Sequence, residues 1–265
     1  MEFFTLKSGN KMPAIGFGTY QLWGDECRES VKKALEIGYR SIDTAEDYEN
    51  HAEIARAIQE SDINRQDIFL TSKIWRLNLR SRDVVASCEK ILSVFKTDYI
   101  DLLLIHWPSH EIPLEDTLDG FKRLQTAGKM RDFGVSNFSA ELCEQALQLD
   151  LIDISINQIR FNPFWNNEDT LQFCKKHDIQ VTAYTPIAKG RVLSDQELLA
   201  LAAQIGRPVS QLVLRWLYEK GLVVIPRSRK EENIRTNFDV FSFSLPRDIY
   251  QAMEDFLHDH GATGV

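Results

Sequence analysis

The stretch Tyr99-Ile100-Asp101-Leu102-Leu103-Leu104-Ile105-His106-Trp107-Pro108 decides how this chain is read. An acidic residue leads into four aliphatics, Leu102 to Ile105. A histidine and a tryptophan follow, and a proline ends the run. A short, wholly apolar run with such hard punctuation reads as a strand buried on both faces, the habit of parallel sheets. His106 stands where that strand emerges. In parallel α/β folds chemistry gathers at the carboxyl ends of strands, so the other strand ends are the places to search for its partners.

Working outward, the same rhythm recurs. Upstream, Tyr39 to Thr44 and Ile68 to Lys73 read as strands. Helical patterns alternate with them, at Asp25 to Ile37, which stops at Gly38, at Ala52 to Ile58, and at Ser81 to Phe95. Downstream, strands are expected at Asp132 to Ser136, Ile154 to Ile159, Ile179 to Thr185 and Val223 to Pro226. Helices are expected at Leu114 to Ala127, from Ser139 with Glu141 in its first turn, at Asn167 to His177, Ser194 to Ile205, Val209 to Lys220, Glu231 to Asn237 and Asp248 to Leu257. At the N-terminus, Phe3 to Leu6 and Met12 to Ile15 flank a polar turn and read as a hairpin. Gly16-Phe17-Gly18-Thr19-Tyr20 suits a short strand whose backbone approaches a ligand. Leaving out the hairpin, eight strands alternate with helices. The expected fold is α/β: a (β/α)8 TIM barrel with an N-terminal β-hairpin and extra helices after strand 7, one domain over residues 1–265.

Composition is that of a soluble globular protein, with 43% hydrophobic and 26% charged residues. A net charge of −8 argues against nucleic acid or an anionic membrane as partner, so an anion site would have to be local. The four cysteines, Cys27, Cys88, Cys143 and Cys174, lie far apart without metal-ligand spacing and suit reduced structural thiols in a cytoplasmic protein. The N-terminus shows no signal-peptide pattern, and no apolar stretch is long enough to span a bilayer.

The strand ends carry a chemical set. Asp43 ends the second strand with Tyr48 in the loop behind it, Lys73 ends the third, and His106 the fourth. At one βα repeat apiece they should ring one mouth of the barrel. Singly, Asp43 suits a turn cap, Lys73 a surface charge, Tyr48 and His106 ordinary packing. Together they suit proton delivery to a carbonyl. A carboxylate keeps a buried lysine charged, the lysine lowers the tyrosine pKa from its usual ~10, and the histidine orients a carbonyl oxygen. The later strand ends add uncharged amides and hydroxyls, Ser136, Asn137 and Gln158, suited to a carboxamide, and a flat ring, Tyr184, suited to stacking. Arg227-Ser228-Arg229-Lys230 precedes a helix and favours a phosphate.

These residues fall in motifs. Gly38-Tyr39-Arg40-Ser41-Ile42-Asp43-Thr44-Ala45 with Tyr48 resembles the first signature of the aldo-keto reductases. Lys73 in LTSKIW, His106 in LIHWP, Gly134 to Phe138, Asn157 to Ile159 and Ile225 to Ser228 resemble its later signatures in order. The nearest resemblance is to bacterial 2,5-diketo-D-gluconate reductases, which also reduce methylglyoxal. It implies a monomeric, cytoplasmic, NADPH-dependent reductase of small carbonyl compounds. Tyr48 would be the general acid, Asp43 and Lys73 its tuning pair, and His106 the substrate orienter. Cofactor contacts would come from Gly18, Thr19, Asp43, Ser136, Asn137, Gln158, Tyr184, Arg227, Ser228, Arg229, Lys230 and Asn237, and substrate walls from Tyr20, Trp23, Trp75, His106 and Trp107. No metal is implied.

Three departures stand out. His51 follows Asn50 where the family has glutamate, with Ala55 at a usual glycine. Asn233 replaces an arginine that grips the 2′-phosphate, which bears on NADPH preference. The tail after Leu257 is short, which suggests an open pocket of broad specificity. Two other readings remain: a redox-sensing binding protein that holds NADPH and turns over slowly, and a Schiff-base aldolase acting through Lys73, which the neighbouring Asp43 opposes.

Overall fold

The computed structural model describes residues 1–263. The chain begins with β1 (Phe3–Thr5), β2 (Lys11–Pro13), β3 (Phe17–Gly18), α1 (Gly24–Ile37), β4 (Ser41–Asp43), α2 (His51–Gln59), β5 (Phe69–Ile74) and α3 (Ser81–Phe95). It continues through β6 (Ile100–Ile105), α4 (Leu114–Thr126), β7 (Met130–Ser136), α5 (Ala140–Gln148), β8 (Ile156–Arg160), β9 (Trp165–Asn166) and α6 (Glu168–Lys176). It ends with β10 (Gln180–Tyr184), α7 (Gln196–Gln204), α8 (Val209–Glu219), β11 (Val223–Val224), α9 (Glu231–Phe238), α10 (Arg247–His260) and β12 (Ala262–Thr263).

β3, β4, β5, β6, β7, β8, β10 and β11 form one eight-stranded sheet in chain order, every neighbouring pair parallel. The sheet curls. Gly16 N donates to Val224 O at 2.9 Å, Val224 N to Ala14 O at 3.1 Å and Gly18 N to Pro226 O at 3.1 Å, so backbone bonds join its two ends. Gly18 shows why glycine is required there: a Cβ would lie 2.7 Å from the Ile225 carbonyl oxygen. The close approach read from the glycine-rich stretch is first of all an approach to the neighbouring backbone.

β6 shows how period-two alternation divides the core. Leu102 and Leu104 point inward, where they meet Phe69, Ile156, Val223 and, from the N-terminal pair β1–β2, Leu6 and Met12. Leu103 and Ile105 point outward into the larger layer between sheet and helices. Each such buried aliphatic stabilises the fold by ~1.5–3 kcal/mol. The hairpin also bonds across the amino ends of the strands, with Asn10 Nδ2 donating to Asp132 Oδ2 at 2.7 Å. The inner core is therefore plugged at that end, and the carboxyl ends of the strands are left for chemistry.

Element boundaries move by a few residues from the sequence expectation. The helix expected from Ser194 begins at Gln196, because Asp195 caps it by accepting from Leu198 N at 3.1 Å. The parallel pair β9–β12, which ties the chain after α10 to the loop after β8, was not expected at all. All four cysteines are buried and free, each on a helix. Among the described residues no helix is long and apolar enough to cross a membrane. Of the tail after Leu257, residues 258–263 finish α10 and form β12, and residues 264–265 lie outside the described residues.

Candidate active site

The alternation that buries Leu102 and Leu104 carries on to His106, two residues further along the same face. Parallel register pairs Thr71 with Leu102 and Lys73 with Leu104, and Asp43 with Thr71, so Asp43 and Lys73 also face inward. Lys73 is 0% exposed, and all three ammonium donors are used. Its Nζ donates to Asp43 Oδ1 at 2.6 Å, to the Thr44 carbonyl at 2.9 Å and to Tyr48 OH at 3.4 Å. A lysine so engaged has no free lone pair for a Schiff base. The second oxygen of Asp43 accepts from Gln158 Nε2 at 2.7 Å.

Tyr48 ends a single helical turn, Glu46–Tyr48, directly after β4. Two residues on, the fully buried Asn50 ties this turn to the loop after β3: Thr44 Oγ1 donates to its Oδ1, and its Nδ2 donates to the carbonyls of Thr19 and Leu22. Glu46 braces the opposite side. One oxygen accepts from Trp75 N at 2.9 Å, and the other from Asn78 Nδ2 and Ser87 Oγ, each at 2.9 Å. Tyr48 and Trp75 both meet the His106 ring edge-on, with centroids 5.6 Å and 5.3 Å away.

Electrostatics correct one expectation. The Tyr48 phenol is pushed well above its ordinary value of 10.0 by burial and then by the Asp43 carboxylate. Lys73 does not lower it, because Asp43 sits closer to Nζ than Tyr48 does and the ion pair presents little net charge to the phenol. Burial also lowers Lys73, against the pull of Asp43. His106 is lowered to about 3 by burial and by the Lys73 charge, so its imidazole is neutral at physiological pH. Its Nδ1 is buried without a hydrogen-bond partner among the described residues.

The remaining wall is uncharged and hydrogen-bonded to itself. Ser136 Oγ donates to the Gln158 carbonyl at 2.8 Å, Asn137 Nδ2 to the His106 carbonyl at 3.0 Å, and Tyr184 OH to Asn137 Oδ1 at 2.8 Å. Asn157, beside Gln158, points the other way and donates to the Phe138 carbonyl, which leaves Gln158 alone facing inward.

These groups open on one cavity of about 750 Å³. It brings together Gly18, Thr19, Tyr20, Asp43, Tyr48, Trp75, His106, Trp107, Ser136, Asn137, Gln158, Tyr184 and Arg227. Other expected residues do not reach its lining. Trp23 caps the start of α1 with 56% exposure, too far out along the loop to form a wall. Ser228, Arg229 and Lys230 lie beyond the end of β11, and Asn237 is buried within α9. Arg229 is already paired with Glu26 Oε1 at 2.6 Å and with the Gln21 carbonyl. Arg227 meets only the Gln21 amide, and Lys230 has no acidic partner among the described residues.

Several lining residues went unread in the sequence: Gln21, Arg160, and the loop Thr185 to Gly190. Arg160 had a signal, since period two puts it on the same face as Gln158. The loop had none. Its left-handed backbone at Thr185 (φ 53°) and Lys189 (φ 54°), like that at Gln21 and Asn137, shows only in three dimensions. Such strain costs ~1–3 kcal/mol per residue and gathers at functional sites.

The description "Aldo/keto reductase family" fits residues 14–258. The chain belongs to that family. The reductase is 36% identical to methylglyoxal reductase DkgB of Escherichia coli over 245 residues, 91% of this chain and 92% of that one. It is 37% identical to glyoxal reductase of Bacillus subtilis over 244 residues, covering 92% and 88%. Among solved structures, a Bombyx mori aldo-keto reductase in complex with NADP superposes with a TM-score of 0.90 at 31% identity, covering 96% of this chain and 92% of that one.

Proposed function

We propose that this oxidoreductase reduces small aldehydes and ketones to alcohols with NADPH, 2-oxoaldehydes such as methylglyoxal foremost, as a single barrel domain acting as a monomer. The observation that carries this reading is one cavity lined by Asp43, Tyr48 and a neutral His106, with Lys73 buried behind it and bonded to both Asp43 and Tyr48. The relatives named for methylglyoxal and glyoxal reduction support the substrate class.

The donor set fits the cofactor. Ser136, Asn137 and Gln158 match a carboxamide, Tyr184 offers a ring face, and Arg227 and Lys230, neither in an ion pair among the described residues, suit a phosphate. When bound, NADPH supplies the hydride. The protein's own groups do the rest. With its high pKa, Tyr48 is fully protonated at neutral pH and releases its proton only as charge builds on the carbonyl oxygen. Lys73 Nζ, 3.4 Å from the phenol oxygen, donates to it and holds the hydroxyl in place for the transfer. The neutral His106 donates an N–H to the carbonyl oxygen and orients it. Trp75 and Trp107 form apolar walls that exclude water.

Quenching of tryptophan fluorescence by NADPH and NADH tests the cofactor assignment. NADPH should bind at least tenfold more tightly. Equal affinities would mean that Asn233 leaves the Arg227 to Lys230 turn without a phosphate grip, and binding of neither would remove the reductase reading.

A further inference from the structure

One cation in the catalytic cavity has no partner in the scheme above. Arg160 closes β8, two residues beyond Gln158 on the same face, and lines the cavity shared by Tyr48 and His106. Its guanidinium carbon lies 4.0 Å over the ring of Trp165. Its backbone carbonyl accepts from Asn167, but its side chain makes no hydrogen bond or ion pair among the described residues. The cavity's acids do not answer it either. Asp43 is taken by Lys73 and Gln158, and Asp47 sits exposed in the turn that carries Tyr48. A guanidinium held over an indole, its donors unspent, is a fork for a carboxylate.

Its place in the sheet says which anion. Arg160 is the register partner of Tyr184 on β10, and its charge acts on the Tyr184 phenol. Tyr184 OH bonds Asn137, whose amide bonds the His106 carbonyl. Arg160 is thus tied to the reacting end of the cavity. The Arg227 to Lys230 turn, proposed for a phosphate, follows β11, with β10 lying between it and β8.

We propose that Arg160 binds the carboxylate of an aldehyde acid, so that this enzyme favours substrates bearing an aldehyde at one end and a carboxylate at the other. The proposal rests on the reductase reading and adds a substrate class to it. Glyoxylate, succinic semialdehyde and 4-carboxybenzaldehyde form a ladder of reach, with methylglyoxal, butanal and 4-nitrobenzaldehyde as neutral counterparts.

With NADPH, the wild type should show at least ~10-fold higher kcat/KM for one of the acids than for its neutral counterpart, the scale of a charge-assisted hydrogen-bonded pair. Arg160→Gln should lose that advantage, chiefly through KM, with neutral substrates changed less than threefold and NADPH affinity less than twofold. Arg160→Lys, which keeps charge without the fork, should fall between. Absence of any acid preference in the wild type, or an unaltered preference in Arg160→Gln, overturns the proposal and leaves Arg160 as a partner of Trp165. Equal losses on acids and neutrals together with weakened NADPH binding would also overturn it, by giving the anion to the cofactor. Calorimetric binding of succinate needs no turnover, so it judges Arg160 even if the reductase reading fails. Wild type should bind it and Arg160→Gln should not; binding by both would overturn the proposal.

Discussion

Replacing Asp43 by asparagine should destabilise the protein in a way that depends on pH. Lys73 is fully buried, and among the described residues Asp43 is the only anion that bonds it. Asparagine keeps the shape and a hydrogen-bond acceptor but removes the charge, leaving a desolvated ammonium without its counter-ion. Breaking one side of a buried pair costs ~3–5 kcal/mol. The retained acceptor puts Asp43→Asn at the low end, ~3 kcal/mol at pH 7. For a chain of this size that is a fall in Tm of about 6–12 °C. The sign with pH follows from Lys73. Its folded pKa is already lowered by burial, and loss of Asp43 lowers it further. The unfolded chain then binds more protons than the native state between the lowered pKa and the unfolded value of ~10.4, so stability rises with pH across that window. The deficit should shrink to below ~1 kcal/mol near pH 10.5, where the native Lys73 has lost its proton and the unfolded chain has lost about half of its own. Thermal unfolding of wild type and Asp43→Asn followed by circular dichroism at pH 7 and at pH 10.5 gives both numbers. A variant within about 2 °C of wild type at pH 7, or a deficit that stays constant with pH, would refute the buried ion pair as the site's organising interaction.

Three further outcomes are expected. Glu46→Ala should cost ~2–3 kcal/mol, since it strips acceptors from Trp75 N, Asn78 and Ser87, and should raise KM as the Trp75 wall loosens; thermal melts and steady-state kinetics would show both. Gly134→Ala should cost ~3 kcal/mol in urea unfolding, because its Cβ would lie 2.6 Å from Leu104 Cδ2 and 2.7 Å from the Ile156 carbonyl oxygen. His106, lowered to about 3, gives stability that is whole above its unfolded pKa of ~6.5 and is lost towards pH 3, by at most ~1.4 kcal/mol per pH unit; the acid limb of a stability–pH profile should be shallower in His106→Asn.

The alternating order and the inward set were legible because both follow from local rules. Apolar runs punctuated by Gly and Pro marked the strands, and a spacing of one βα repeat put Asp43, Lys73 and His106 at successive strand ends. Three things were not legible, each for a physical reason. Trp23 was read as a wall because aromatics near strand ends often are, yet only the course of the loop after β3 decides which way it points. The effect of Lys73 on Tyr48 could not be signed from neighbours alone, because burial outweighs the screened charge of an ion pair. The Thr185 to Gly190 loop owes its shape to left-handed residues that no composition announces. The bracing roles of Glu46 and Asn50 join positions up to 41 residues apart, and pattern reading does not reach so far.

The most direct test of the account is NADPH oxidation with methylglyoxal, followed by the cofactor's near-ultraviolet absorbance, in wild type and in Tyr48→Phe. The account predicts turnover by the wild type, and at least ~100-fold slower turnover with unchanged NADPH affinity in the variant, the low end of what a general acid contributes. Equal rates in the two proteins would contradict Tyr48 as the proton donor, and no oxidation by the wild type with any small aldehyde would contradict the assigned reaction itself.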